Sequence, residues 1–329
     1  MRPILALSVL CGALACLASP SAKAETVPLK VVIGSNSFAY GGMRVAEHAG
    51  ILEKNGIKAE IVVAESGNAA TTALISGSAE VAASGPEQVI AAAARGQKIV
   101  ILGNLYRGLS GSLVLSEPIA KKMTVKRDAP VVERLRALDG LTIATPSATS
   151  AYTVPLKTFA EMNDVKINFT YMAQSAMPAA LKTGAINGMM AGSPYTDAGV
   201  LASGGTLWID GTGGELPEEV EPTSSTVLQT TEEFAKTNPD VVKRLIKSLE
   251  DLKEMIAQDP DGVKAAMSKA YPKLDKSTID SVFERNSANW AQPEYTMAQI
   301  QKELGFVKTQ GRIQGADKIV PESLLYSNP

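Results

Sequence analysis

The chain has 329 residues, and its 32 lysines and arginines stand against 34 aspartates and glutamates for a formal net charge of −2. That balance excludes the basic footprint of a nucleic-acid-binding protein, and the length allows a large buried core of the kind usually divided between two domains. Two cysteines and a single histidine leave little material for thiol or histidine chemistry or for a metal site.

In chain order, Arg2 precedes an apolar run from Ile4 to Leu17, followed by Pro20, Ser21 and the small-residue site Ala22-Lys23-Ala24. The run is shorter than the roughly 20 apolar residues that span a bilayer, so residues 1–24 read as a secretory signal peptide cleaved after Ala24. Cleavage removes Cys11 and Cys16, so the mature chain from Glu25 has no disulfide or thiol nucleophile, and it removes Arg2 and Lys23 but no acid. Ala13-Leu14-Ala15-Cys16 weakly resembles a lipoprotein processing site, but Ala13 stands where leucine is usual and the A-x-A site is the better match. No later apolar run is long enough to insert the mature chain into a membrane.

The next elements come in two similar sets. In the first, a β-rich run from Leu29 to Ser35 stops in small polar residues before Tyr40. A helical pattern follows at Met43, Val45, Ala46 and Ala49, then a strand at Ala59 to Ala64. Ala73-Leu74-Ile75-Ser76-Gly77 then leads into Ala79 to Pro86. In the second, Leu141 to Ser147 stops before Tyr152, a helical pattern follows at Val154, Leu156, Phe159 and Met162, and a strand at Lys166 to Met172. Ala180-Leu181-Lys182-Thr183-Gly184 then leads into Ile186 to Pro194. Strands alternating with helices predict parallel pairing through right-handed crossovers, hence two α/β lobes, each a mixed, mostly parallel sheet flanked by helices.

Between the sets, strands at Ile99 to Leu102 and Ser112 to Leu115 flank a glycine-rich crossing from Asn104 to Gly111, and Thr226 to Leu228 is the expected return after the loose Gly211 to Pro222 segment. This assigns 25–110 and 224–329 to lobe one and 111–223 to lobe two. The remainder reads as helical: Asn238-Pro239 and Asp259-Pro260 each pair an N-cap with a first-turn proline. Val242, Leu245, Ile246, Leu249, Leu252 and Ile256 form a stripe at helical spacing, read as core-facing rather than as a partner groove. The C-terminal segment is expected to pack back onto lobe one.

The chemistry is sparse. His48 sits in a helical pattern beside Glu47, and no Gly-Lys pair exists to build a phosphate-cradling loop. The chain therefore reads as neither an enzyme nor a metal or cofactor carrier. What remains are loops at the C-terminal ends of predicted parallel strands, the ligand-binding edge of open α/β sheets. Lobe one supplies Ser35, Asn36, Phe38 and Tyr40, then Ser66 and Gly67, then Ser84 and Gly85. Lobe two supplies Ser147, Thr149, Ser150 and Tyr152, then Gln174, then Ser193 and Tyr195.

Several of these loops open directly into helices, whose N–H groups and positive dipole ends hold an anion without a basic side chain. Any single Ser, Thr or Asn at such a place more commonly caps its helix; the convergence of both lobes favours a site. Asn104 and Arg107 lie in the first crossing. Arg107 has two open readings, a bidentate partner for an acidic ligand or a solvent-exposed hinge ion pair.

These features resemble the NMT1/THI5-like and SsuA-like family of periplasmic substrate-binding proteins. The resemblance runs through the Leu29 to Tyr40 start, the Ser66-Gly67 turn, the Ala73 to Pro86 segment, Leu138-Asp139-Gly140 and Gly192-Ser193-Pro194, and extends to Glu233-Phe234-Ala235-Lys236 before Asn238-Pro239. It implies a two-lobed periplasmic-binding-protein type II fold, a periplasmic location, and a small polar or anionic ligand, such as a sulfonate, carboxylate or aromatic acid, in the interlobe cleft. It also implies an ABC permease and ATPase as partners of a monomeric chain. A ligand-sensing module for a receptor would bind identically. A pyrimidine-synthesis-like enzyme on the same fold is a further alternative, but those relatives depend on His and Cys residues that the mature chain lacks.

Overall fold

The computed structural model describes residues 26–327 except 202 and 312, so the expected signal peptide, its expected cleavage site and both cysteines lie outside the described residues. Among the described residues the ten strands are β1 (Val27–Ile33), β2 (Ile57–Val63), β3 (Val81–Ser84), β4 (Ile99–Arg107), β5 (Gly111–Leu115), β6 (Thr142–Thr145), β7 (Asn168–Tyr171), β8 (Gly188–Gly192), β9 (Thr206–Ile209) and β10 (Ser224–Thr231). They form two five-stranded sheets, ordered β2-β1-β3-β10-β4 and β7-β6-β8-β5-β9.

The two orders are the same pattern. β1 pairs in parallel with β2 and β3, as β6 does with β7 and β8, while β10 and β5 run antiparallel inside their sheets. Val31, Val32 and Ile33 are buried on both faces of β1, which is why this central strand reads as a continuous apolar run. The internal likeness in the sequence corresponds to structure: Gly77 turns the chain from helix Gly67–Ile75 toward β3 at φ 72°, and Gly184 turns it from helix Met177–Thr183 toward β8 at φ 74°. That left-handed conformation after a helix suits glycine.

Helix Pro239–Gln258 buries Val242, Leu245, Leu249 and Leu252 in the larger core of the first sheet. The opposite face of that sheet is covered by Ile300, Leu304 and Val307 of helix Met297–Gln310. Of the two Pro-flanked caps, Asp259 accepts from the Gly262 N–H at 2.9 Å, whereas Asn238 makes no such cap bond. Its amide instead donates to the Phe234 carbonyl at the end of helix Glu232–Thr237, which also accepts from the Asn238 N–H at 2.8 Å.

The crossings are shorter than the sequence suggests. Asn104, Tyr106 and Arg107 pair with Val227, Thr226 and Ser224 in the first sheet, so only Gly108 to Ser110 leave it. Thr226 to Leu228 likewise lie within β10. The two crossings are tied together: the Gly108 N–H donates to the Thr223 carbonyl at 3.0 Å, and Ser225 Oγ donates to the Gly108 carbonyl at 2.6 Å while accepting from the Ser110 N–H at 2.8 Å. Glu303, from helix Met297–Gln310, accepts from both the N–H and the hydroxyl of Thr223, each at 2.6 Å. Among the described residues no helix is long and apolar enough to cross a membrane.

Candidate functional site

Three nine-residue helices, Gly67–Ile75, Pro86–Ala94 and Thr153–Glu161, start around one small cavity of about 20 Å³. The first two belong to the first sheet's half of the molecule and the third to the second's. Their leading residues Ser66, Gly67, Gly85, Ala151 and Tyr152 line it, and no lysine, arginine, aspartate or glutamate does so among the described residues. Each helix N-terminus carries about half a positive charge, so the cavity is electropositive without a cationic side chain.

The floor depends on close backbone approach. A Cβ on Gly34 would lie 2.8 Å from the Gly67 nitrogen and 3.0 Å from Tyr40 Oη. On the other side, a Cβ on Gly111 would lie 2.4 Å from the Tyr152 ring, so that glycine admits the ring to the end of the second sheet. Burial pushes the phenols of Tyr40 and Tyr152 up, and both stay protonated. Tyr152 shares a 2.9 Å hydrogen bond with Ser110 Oγ.

Ser66 and Ser150 serve two ends. Ser66 Oγ accepts from the Ala69 N–H at 3.1 Å and caps its helix, and Ser150 Oγ accepts from the Thr153 N–H at 3.2 Å in the turn before helix Thr153–Glu161, while both line the cavity. Behind Gly85, burial and the neighbouring Glu303 hold the Glu87 carboxyl well above the usual carboxylate range, and its Oε2 has no hydrogen-bond partner. A neutral acid there adds no negative charge beside the helix starts.

Of the residues chosen from sequence, Tyr40, Ser66, Gly67, Gly85, Ser147, Ser150, Tyr152 and Gln174 line this cavity. A second group stands where the lobes meet. Gln174 Nε2 donates to Ser35 Oγ at 2.9 Å, the Ser193 carbonyl accepts from the Phe38 N–H at 2.7 Å, and Thr149 accepts from Gln88. Tyr195, its phenol pushed up to about 12 mainly by burial, interacts with Ser35 from the second lobe. Asn36 Oδ1 accepts from Arg44 within lobe one.

Four further candidates do not line this cavity. The Phe38 ring is buried against Tyr271 and Trp290, with centroids 4.3 and 5.7 Å away, because its carbonyl is anchored by Trp290 Nε1. Ser84 is buried behind the cavity, bonded to Thr71 and Gln229. Asn104 is held inside the first sheet and donates to the Glu294 carbonyl at 2.9 Å. Arg107 is exposed at the end of β4 and borders a separate groove with Glu221 and Lys302.

Sequence reasoning missed Gly34, Gln88, Pro146, Ala151 and Ser225, all of which line the cavity. Gln88 had a legible sign: Glu87-Gln88 is a polar pair opening an otherwise apolar helix directly after Gly85-Pro86.

A profile of the NMT1-like family matches residues 23–272. No curated protein matches the chain at the sequence level. Among solved structures, the alkanesulfonate-binding protein SsuA from Xanthomonas axonopodis pv. citri, bound to MOPS, aligns with a TM-score of 0.69 at 16% identity, covering 92% of this chain and 97% of that one. The periplasmic aliphatic sulphonate binding protein SsuA from Escherichia coli aligns with a TM-score of 0.63 at 18% identity, covering 89% and 97%. The periplasmic nitrate-binding protein NrtA from Synechocystis PCC 6803 aligns with a TM-score of 0.68 at 14% identity, covering 91% and 87%. These likenesses carry the fold, the two-lobed type II architecture of periplasmic binding proteins.

Proposed function

Because the chain belongs to the NMT1-like family, we propose that it is the periplasmic solute-binding component of an ABC importer, closing its two lobes around a small polar or anionic organic solute. The observation that carries this reading is the convergence of three helix N-termini, from both lobes, on one cavity without a charged side chain. Such termini bind carboxylate, sulfonate or similar oxyanions through N–H donors, each contributing about 0.3 to 1 kcal/mol when exposed and up to about 2 when partly buried.

In this reading residues 1–24 direct export and are cleaved after Ala24, and the monomeric mature chain divides into lobe one (25–110 and 224–329) and lobe two (111–223). A solute touching both lobes favours the closed arrangement by its differential contacts. A permease and its ATPase then read the closed form, so energy comes from the partners and no bond is made or broken here. Native mass spectrometry of freshly purified protein, followed by calorimetric titration with ethanesulfonate, nitrate and benzoate, tests it. A bound small molecule or saturable uptake of one probe is expected. A chain that carries no solute and binds none of the three would overturn the anionic reading.

A further inference from the structure

We propose that Gln88 is a positioning residue that ties occupancy of the cavity to the meeting of the two lobes, a proposal that rests on the solute-binding reading above. Gln88 stands in the first turn of helix Pro86–Ala94 and is 4% exposed. Its Nε2 donates to the Thr149 carbonyl of the second lobe at 2.6 Å and lies 3.4 Å from Thr149 Oγ1. Its Oε1 is lodged between two glycines of the first lobe, where a Cβ on Gly85 would come within 2.7 Å of it and one on Gly67 within 3.3 Å.

Thr149 is held a second time, because its Oγ1 donates to Asn68 Oδ1 at 3.2 Å in the first turn of helix Gly67–Ile75. Both helix starts that lobe one offers to the cavity therefore grip the same residue of lobe two. Of these three, Gln88 lines the cavity while Asn68 and Thr149 do not. A solute at the helix starts thus touches the side chain whose amide joins the lobes. The amide supplies a donor to the Thr149 carbonyl without placing a charge beside the cavity.

Small-angle scattering on the full chain tests the latch without any solute. Gln88→Met keeps the length but offers no donor to the Thr149 carbonyl, and Gln88→Ala removes the group. Both are expected to give a larger radius of gyration than the wild type, with circular dichroism unchanged. Asn68→Ala, outside the cavity, is expected to give a smaller expansion. A Gln88→Met protein as compact as the wild type overturns the proposal.

Titration with ethanesulfonate and nitrate separates it from the reading it rests on. For whichever probe the wild type binds, the Gln88 variants are expected to bind about tenfold more weakly, the loss of one well-placed hydrogen bond. Equal affinity overturns the latch and leaves the solute reading standing. Expansion in the variants, with neither probe bound by the wild type, supports the latch and counts against the anionic solute.

Discussion

Replacing Gly34 by alanine probes the closest packing in the site. The added Cβ would meet the Gly67 nitrogen at 2.8 Å, the Gly67 Cα at 2.9 Å and Tyr40 Oη at 3.0 Å. Two of these three atoms are backbone, at the start of helix Gly67–Ile75, so relief requires the helix start to shift rather than a side chain to rotate. Overpacking of this kind costs about 1 to 3 kcal/mol. With each kcal/mol shifting Tm by roughly 2 to 4 °C in a chain approaching this size, a loss of about 2 kcal/mol lowers Tm by about 4 to 8 °C.

The same shift moves the Ser66 and Gly67 N–H groups away from the cavity, so affinity for a bound oxyanion falls along with stability. Calorimetry of the melt and of the titration with ethanesulfonate reads both quantities on the same preparation. A Gly34→Ala protein that melts within 1 °C of the wild type, a margin well inside the expected shift, would refute the argument that the backbone of β1 and the helix start are locked together.

Three other perturbations have definite outcomes. Glu87 and Glu303 are buried acids held above the usual carboxylate range, with Tyr40 and Tyr295 as further titratable neighbours of Glu87. The folded chain therefore binds more protons than the unfolded one above about pH 4.3, and stability falls as pH rises from there through the folded-state values, by up to about 1.4 kcal/mol per pH unit for one proton. Glu87→Gln is expected to flatten that decline in urea melts taken from pH 5 to 8, and parallel profiles for the two proteins would exclude the pair as its source. Ser66→Ala removes the cap on the Ala69 N–H and is expected to cost about 1 kcal/mol in urea unfolding, with weaker probe binding. Arg107→Ala is expected to leave affinity for ethanesulfonate unchanged in calorimetry, since the residue is exposed beyond the cavity; a tenfold loss would return Arg107 to the site.

Much of the architecture was legible because the apolar runs of β1, β3 and β8 and the matching turns at Gly77 and Gly184 are local signals. The crossing was misread from Asn104 onward because polar Asn104 and charged Arg107 interrupt the apolar run. Their place in β4 is set by pairing with β10, about 120 residues later, which no local window contains. Eight of the candidate residues line the cavity because the ends of parallel strands are predictable positions. Phe38 is not among them, for its packing partners Tyr271 and Trp290 are remote in sequence and meet it only after lobe one is assembled.

The insertion of β10 between β3 and β4 orders assembly in time. The second sheet uses only residues 111–209, a contiguous stretch, whereas the first cannot join β3 to β4 until residues 224–231 have arrived. Gln229 must reach back 145 positions to bond Ser84. Since long-range pairing is slow and chains emerge N-terminus first, the nested half matures earlier, and the half that begins the polypeptide is the last to close.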